Sequence, residues 1–426
     1  MILINRYALT DIFRRNIGLA TQAFDAQCQI GASLIRMQGE WMKPWGLKSY
    51  YNQTAAHLGA TGKMMAQAGT KLDHAPDFAI DGARQKTVSD QTFYRIERFQ
   101  ADDNMGSKKP TMLIVAPMSG HYASILRDTM KGMLASHNVM VVDWKNPRDV
   151  PLSHGAFDFE TYMECTLEAI QAAGPSADVM GISQSTVPLL AISAYMEKHK
   201  DPASPRSLTL IGGPIDTRKS DTKMHDFARG VSLKQLRKQV VDPVPVAYKG
   251  KGRDVYPGFT QLMALMGQGR DKHQTRLSDL YAAQINDDAD QIKNLSDFYN
   301  DYYAVMDLDA EFFLDTLHHV YQQHSLATGQ MTFRGEDIDL KSIQKMSLLT
   351  VEGAKDSVSP PGETHAAHDL CPHIPDEKRQ RFTHVEFGHY GIAMGPSFIK
   401  HIAPIVAKFT KGGHTPNGPR PGSKAP

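Results

Sequence analysis

Ala177-Asp-Val-Met-Gly-Ile-Ser183-Gln-Ser-Thr-Val-Pro-Leu-Leu190 is the stretch from which the rest of the chain is read. Its first half, Asp178 to Ile182, is mostly apolar and predicts a short buried strand. Its second half, from Thr186 to about Lys198, predicts a helix. Between them, Gly181-Ile-Ser183-Gln-Ser185 is one residue away from G-x-S-x-G. That spacing has a physical reason. A serine at a sharp strand-to-helix turn is pushed out of the sheet into a cleft, and small residues two before and two after let the backbones pass closely. The following helix aims its free N–H groups at the point where negative charge develops in acyl transfer.

The Gly-x-Ser triplet alone is weak. It recurs at Gly31, Gly174, Gly230 and Gly395, but there the fifth residue is large or charged (Ile35, Asp178, Lys234, Ile399) and no apolar strand precedes it. Ser183 alone has the full context of a nucleophile elbow in a serine hydrolase. The competing reading is a buried serine capping a helix in a non-catalytic α/β domain.

Composition sets bounds. The 426 residues are 41% hydrophobic and 22% charged, with net charge +1. That describes an ordinary globular protein and gives no sign of a nucleic-acid or anionic-membrane partner. Cys28, Cys165 and Cys371 lie far apart, which fits free, buried thiols in a reducing compartment. The start, Met-Ile-Leu-Ile-Asn-Arg6, is too short an apolar run for a secretory signal, and no stretch approaches membrane-spanning length. Cytoplasmic location is the expectation.

Apolar side chains recur at helical spacing through Ile12, Phe13, Ile17, Ala20, Phe24 and Cys28, then Leu34, Ile35 and Met37. This predicts a helical extension packed on the main domain. With Trp41, Trp45, Tyr50 and Tyr51 close by, the other reading is an apolar surface for an insoluble partner. From Phe93 the pattern changes. Strands are predicted at Thr111–Pro117, Val139–Trp144, Asp178–Ser183, Leu208–Gly212, Ser347–Glu352 and Thr383–Phe387, with helices such as Phe159–Ala172 and Val187–Lys198 between them. Short apolar runs separated by helices mean a mostly parallel sheet covered on both faces, with sites beyond the strands' carboxyl ends. These shifts divide the chain into a helical extension (1–92), a first core segment (93–213), a mainly helical cap insertion (214–345), a second core segment (346–410) and a disordered tail rich in Gly and Pro (411–426).

A serine needs a base, and the base needs an orienting acid. Asp356 follows the strand ending at Glu352, and His389 sits in Gly388-His389-Tyr390-Gly391 after the strand ending at Phe387. The order Ser, Asp, His is that of α/β-hydrolases. Glu386 is a competing acid, ranked lower because it lies within the strand. The oxyanion donors are expected to be the backbone N–H groups of Gln184 and Met118, with Ser119 next. His121 and Tyr390 are candidate substrate contacts. His365-x-x-His368-x-x-Cys371-x-His373 tempts a metal reading, but such a triad needs no metal and helix packing ranks first.

With these residues placed, the chain resembles the intracellular poly(3-hydroxybutyrate) depolymerase family from about residue 90 to 405. The resemblance rests on Ile182-Ser183-Gln184-Ser185-Thr186-Val187-Pro188, Gly212-Gly213-Pro214-Ile215-Asp216, Thr350-Val351-Glu352-Gly353 with Asp356, Ala366-Ala367-His368-x-Leu370-Cys371, and Gly388-His389-Tyr390-Gly391. It implies an α/β-hydrolase that cleaves stored polyhydroxyalkanoate at cytoplasmic granules, without a cofactor. Well-known members carry cysteine where this chain has Ser183, followed by Gln-Pro where it has Gln184-Ser185. Two other functions fit the residues: a synthase-like acyltransferase, and a granule-surface protein with a vestigial triad.

Overall fold

The computed structural model describes residues 6–69, 75–102, 109–268 and 270–412. The expected tail lies, beyond Gly412, outside the described residues. The chain divides into two compact units. The larger holds Phe78–Ser119, Ala123–Val241 and the chain from Leu308 onward. The smaller holds the chain up to Asp77 with Gly120–Tyr122 and Asp242–Asp307.

The larger unit is organised by an eight-stranded sheet. Its strands are β1 (Ala83–Asp90), β2 (Tyr94–Ala101), β3 (Thr111–Val115), β4 (Asn138–Trp144), β5 (Asp178–Ile182), β6 (Ser207–Ile211), β7 (Ser347–Gly353) and β8 (Arg379–His384). Their spatial order is β1-β2-β4-β3-β5-β6-β7-β8. β2 runs antiparallel to both β1 and β4, and every later pairing is parallel. This order and sense define the α/β-hydrolase fold. β5 and β6 are buried along their whole length, as their unbroken apolar runs require of strands covered on both faces.

Two strands, β1 and β2, escaped the sequence reading. β1, Ala83-Arg-Gln-Lys-Thr-Val-Ser-Asp90, is an edge strand whose side chains are mostly exposed, so its polar alternation hides it. The sheet therefore begins at Ala83, ahead of the alternating pattern read from Phe93. The last strand was expected at Thr383–Phe387 and lies at Arg379–His384 instead. It is the opposite edge, pairing with β7 alone from Leu348↔Arg379 to Gly353↔His384. An edge tolerates Arg379, Gln380 and Arg381, while apolar Val385 is left exposed.

β5 is held at its start. Asp178 is buried and accepts from Arg206 Nε at 3.2 Å and Ser207 Oγ at 2.6 Å, with His137 Nε2 at 3.3 Å. Burial acts to raise its pKa, but the hydrogen bonds from His137, Arg206 and Ser207 outweigh it and the carboxyl ends below its usual value. The stability this supplies is present above the unfolded value, about 3.9, and is lost as pH falls through the folded one. We expect Asp178→Asn to cost about 2 kcal/mol at neutral pH. In urea titrations the gap from wild type should close below about pH 4.

The smaller unit pairs α1 (Arg6–Trp41) with α2 (Lys48–Gly69). The contact is made by small residues. A Cβ on Gly39 would come within 2.8 Å of Tyr51 Cβ, and one on Gly62 within 2.6 Å of Cys28 Cβ. α1 was expected to bury its apolar stripe. Its buried residues are instead Tyr7, Asp11, Gly18, Cys28, Ala32 and Gly39, while Ile12, Phe13, Ile17, Phe24, Leu34 and Met37 are exposed. Periodicity gave the helix but not its inner face. In the same unit Tyr7 donates to Asp307 Oδ2 at 2.8 Å, and Gly258 N–H donates to Asp307 Oδ1 at 2.8 Å.

The stretch expected as a cap is mainly helical, at Lys223–Gly230, Leu233–Val240, Gly258–Gln268, Arg270–Ile285, Ala289–Tyr303 and Ala310–Thr316. Of it, only Asp242–Asp307 falls in the smaller unit. Among the described residues no helix is long and apolar enough to cross a membrane.

Candidate active site

β5 ends at Ile182, a tight turn follows over Ser183–Ser185, and a buried helix α5 runs from Thr186 to Lys198 (α3, Arg127–Leu134, and α4, Phe159–Ala173, precede it). Ser183 has φ +56°, a left-handed backbone that a non-glycine residue adopts only under constraint. The constraint is visible. Ile182 N–H donates to Ser185 Oγ at 2.9 Å, Ser185 Oγ lies 2.7 Å from the Val115 carbonyl, and Thr186 Oγ1 donates to the Ser183 carbonyl at 2.7 Å. Ser185 thus fastens the turn to the end of β3, a function that glycine at this place could not serve.

The glycine two before Ser183 is required by space. A Cβ on Gly181 would sit 2.8 Å from Leu189 Cδ2. A second need for glycine was missed as a site feature. A Cβ on Gly213, just past β6, would lie 1.9 Å from Thr186 Oγ1. Gly212 has φ +55°, and a Cβ there would stand 3.4 Å from His389 Nδ1. Two adjacent glycines directly after a strand are the signal that could have found this. Gly213→Ala should push α5 off the turn and cost about 3 kcal/mol or prevent folding, read by thermal denaturation.

The structure brings Ser183, His389 and Asp356 into one hydrogen-bonded line. His389 Nε2 is 3.0 Å from Ser183 Oγ, and His389 Nδ1 is 2.8 Å from Asp356 Oδ2. A carboxylate only accepts, so Nδ1 carries the hydrogen and Nε2 is left to accept from the serine hydroxyl. Asp356 is buried, and its other oxygen accepts from the N–H groups of Val358 at 2.8 Å and Ser359 at 3.0 Å. Glu386 is no rival: it is exposed and paired with Lys355.

Behind Asp356 lies a group that sequence reasoning did not single out. Ser359 Oγ donates to Glu363 Oε2 at 3.0 Å, and Glu363 is fully buried. Burial pushes its carboxyl up to about 8, against hydrogen bonds from Ser220 and Ser359. Burial thus favours its neutral form, which adds no second negative charge beside Asp356.

Met118 is buried in the loop after β3. Val115 of β3 pairs with Gly181 of β5, so Met118 and Gln184 follow adjacent strand ends. Gln184 stands in the first turn after β5, half-buried. Tyr390 meets the His389 ring edge-on with centroids 5.9 Å apart. His121 belongs to the smaller unit, bridged to Val305 with its ring 4.9 Å from Tyr302, and burial lowers its pKa to about 4.

The His365 and His368 rings turn onto Thr350 Oγ1, at 2.7 and 2.9 Å. Burial lowers their pKa values to about 4 and about 2, and raises that of Cys371 to about 12. Among the described residues no group of three or more His, Cys, Asp or Glu is placed to hold a metal ion. All three cysteines are buried and unpaired.

Residues 212–413 match the family described as PHB de-polymerase C-terminus. The match takes in Asp356 and His389 and starts after Ser183. The poly(3-hydroxyalkanoate) polymerase subunit PhaC of Allochromatium vinosum is 24% identical over 311 residues, 70% of this chain and 80% of that protein. Its counterpart in Thiocystis violacea is 22% identical over 313 residues, 71% of this chain and 80% of that protein. Among solved structures, a putative lipase from Acinetobacter baumannii is similar at 16% identity and TM-score 0.40, over 78% of this chain and 93% of that one. The chain has the α/β-hydrolase fold, and its sequence is similar to those of polyhydroxyalkanoate enzymes.

Proposed function

We infer that this protein hydrolyses the ester bonds of a poly(3-hydroxyalkanoate). The observation that carries the reading is the line Ser183–His389–Asp356 on a strained elbow. Ser183 Oγ attacks the ester carbonyl while His389 Nε2 takes its proton. The oxyanion is received by the N–H groups of Gln184 and Met118. The tetrahedral intermediate collapses, the C–O bond of the ester breaks, and His389 returns the proton to the departing hydroxyl. Water then repeats the sequence on the acyl-serine, releasing a hydroxyacid or short oligomer and restoring Ser183. Tyr390 is placed by this reading at the substrate side of the base. No cofactor enters. The match to a depolymerase family supports polyester as the substrate, and the setting implied is the storage granule in the cytoplasm.

A second reading is favoured by the two polymerase relatives. There the acyl group would pass from a thioester to a growing chain's hydroxyl instead of to water. One experiment separates the two. The protein is incubated with amorphous poly(3-hydroxybutyrate) and, separately, with 3-hydroxybutyryl-CoA. Release of 3-hydroxybutyrate or its oligomers from the first supports hydrolysis. Polymer from the second, with none released from the first, overturns it. Binding to polymer without either reaction would leave a surface protein with an idle triad.

A further inference from the structure

α1 is built inside out. Its large apolar side chains face solvent, with Phe13 64% and Trp41 79% exposed, while glycine, alanine and cysteine fill the contact with α2. The exposed face has a second property. Between Leu9 and Trp41 the charged residues are Asp11, Arg14, Arg15, Asp25, Arg36 and Glu40. At 3.6 residues per turn they share an arc of about 100°, and the exposed apolar residues occupy the opposite side. That side carries no charge over about 48 Å of helix. Its polar groups include three amides, Asn16, Gln27 and Gln38, all exposed. They recur every eleven residues, three helical turns, and so line up down the middle of the face about 16 Å apart. At the end of α1, Trp45 is 70% exposed and extends the surface.

We propose that this face of α1, with Trp41 and Trp45, seats the protein on the surface of an uncharged solid polyester. The proposal rests on the polyester reading above. Such a surface offers apolar backbone and side groups interrupted by ester carbonyls, which accept hydrogen bonds and bear no charge. An apolar face carrying a row of amide donors complements it. Between Leu9 and Trp41 three positive and three negative charges cancel, and none lies on the apolar side; Arg6 and Lys43 lie beyond its two ends. An anionic bilayer would call instead for lysines and arginines flanking the apolar stripe. Exposed tryptophans suit a boundary that is apolar on one side and wet on the other.

The test uses the full chain and protein-free amorphous poly(3-hydroxybutyrate) particles. Wild type should sediment with them, and the emission of Trp41 and Trp45 should shift to the blue. Raising salt to 1 M should leave binding unchanged or strengthen it, since no charge pairs form. The combined variant Phe13→Gln, Phe24→Gln, Leu34→Gln and Trp41→Gln should bind at least tenfold more weakly. Its turnover of a short soluble ester should stay within twofold of wild type. Wild-type sedimentation without an emission shift, binding lost in salt, or equal binding by the variant each overturns the proposal. So does preferential binding to phosphatidylglycerol vesicles, or a dimer in light scattering that the substitutions dissolve with no change in particle binding. The two readings fail separately: binding with the emission shift but no ester cleavage would sink the hydrolase and leave this surface standing.

Discussion

Ser183→Ala should lower turnover of a soluble ester by about four to six orders of magnitude and abolish labelling by a fluorophosphonate. The size follows from what is lost. In the proposed mechanism the hydroxyl 3.0 Å from His389 Nε2 is the attacking atom. The cysteines are buried, and burial pushes the Cys165 and Cys371 thiols up to about 12. The change keeps Cβ, so it adds no strain at φ +56°. The melting temperature should therefore stay level or rise slightly. Labelling that persists unchanged on the variant would show that another residue attacks.

Asp356→Asn should cost about a thousandfold to ten-thousandfold in kcat with the fold intact. The hydrogen-bond pattern around Asp356 explains why an amide fails. Two backbone N–H groups, from Val358 and Ser359, point at Oδ1. An asparagine must turn its carbonyl oxygen to them, which leaves its NH2 facing His389 Nδ1. That nitrogen must then accept, so the hydrogen moves to Nε2 and the serine faces a donor where it needs a base. Glu386→Gln is the matching control. Glu386 is exposed and paired with Lys355, and its loss should change kcat less than twofold. If Glu386→Gln proves the more damaging of the two, the orienting acid has been misassigned.

The turn at Ser183 and the neighbouring places of Asp356 and His389 were legible because each is marked by a local rule: an apolar run, then a turn, then a polar residue past the strand. α4 and α5 were found nearly to the residue, since Phe159–Ala173 and Thr186–Lys198 are long and strongly patterned. The edges of the sheet were harder. β1 and β8 pair on one side only and keep arginines, lysine and glutamines, so burial leaves little trace in their sequence. The inner face of α1 was misread for a different reason. A hydrophobic stripe says that a helix has two faces, not which one meets its neighbour. Cys28, Ala32 and Gly39 won the contact because α2 approaches too closely for larger residues. Glu363 was not read, because its neighbour Ser220, 143 residues away in sequence, is brought to it only by folding.

The left-handed backbone at Ser183 also limits what evolution can place there. A side chain branched at Cβ, such as threonine, crowds that conformation, whereas serine and cysteine are both unbranched and differ by one atom. Oxygen can therefore replace sulfur, or the reverse, without rebuilding the bend. A lineage on this scaffold is free to drift between oxygen and sulfur at that position, while threonine, valine and isoleucine are disfavoured there.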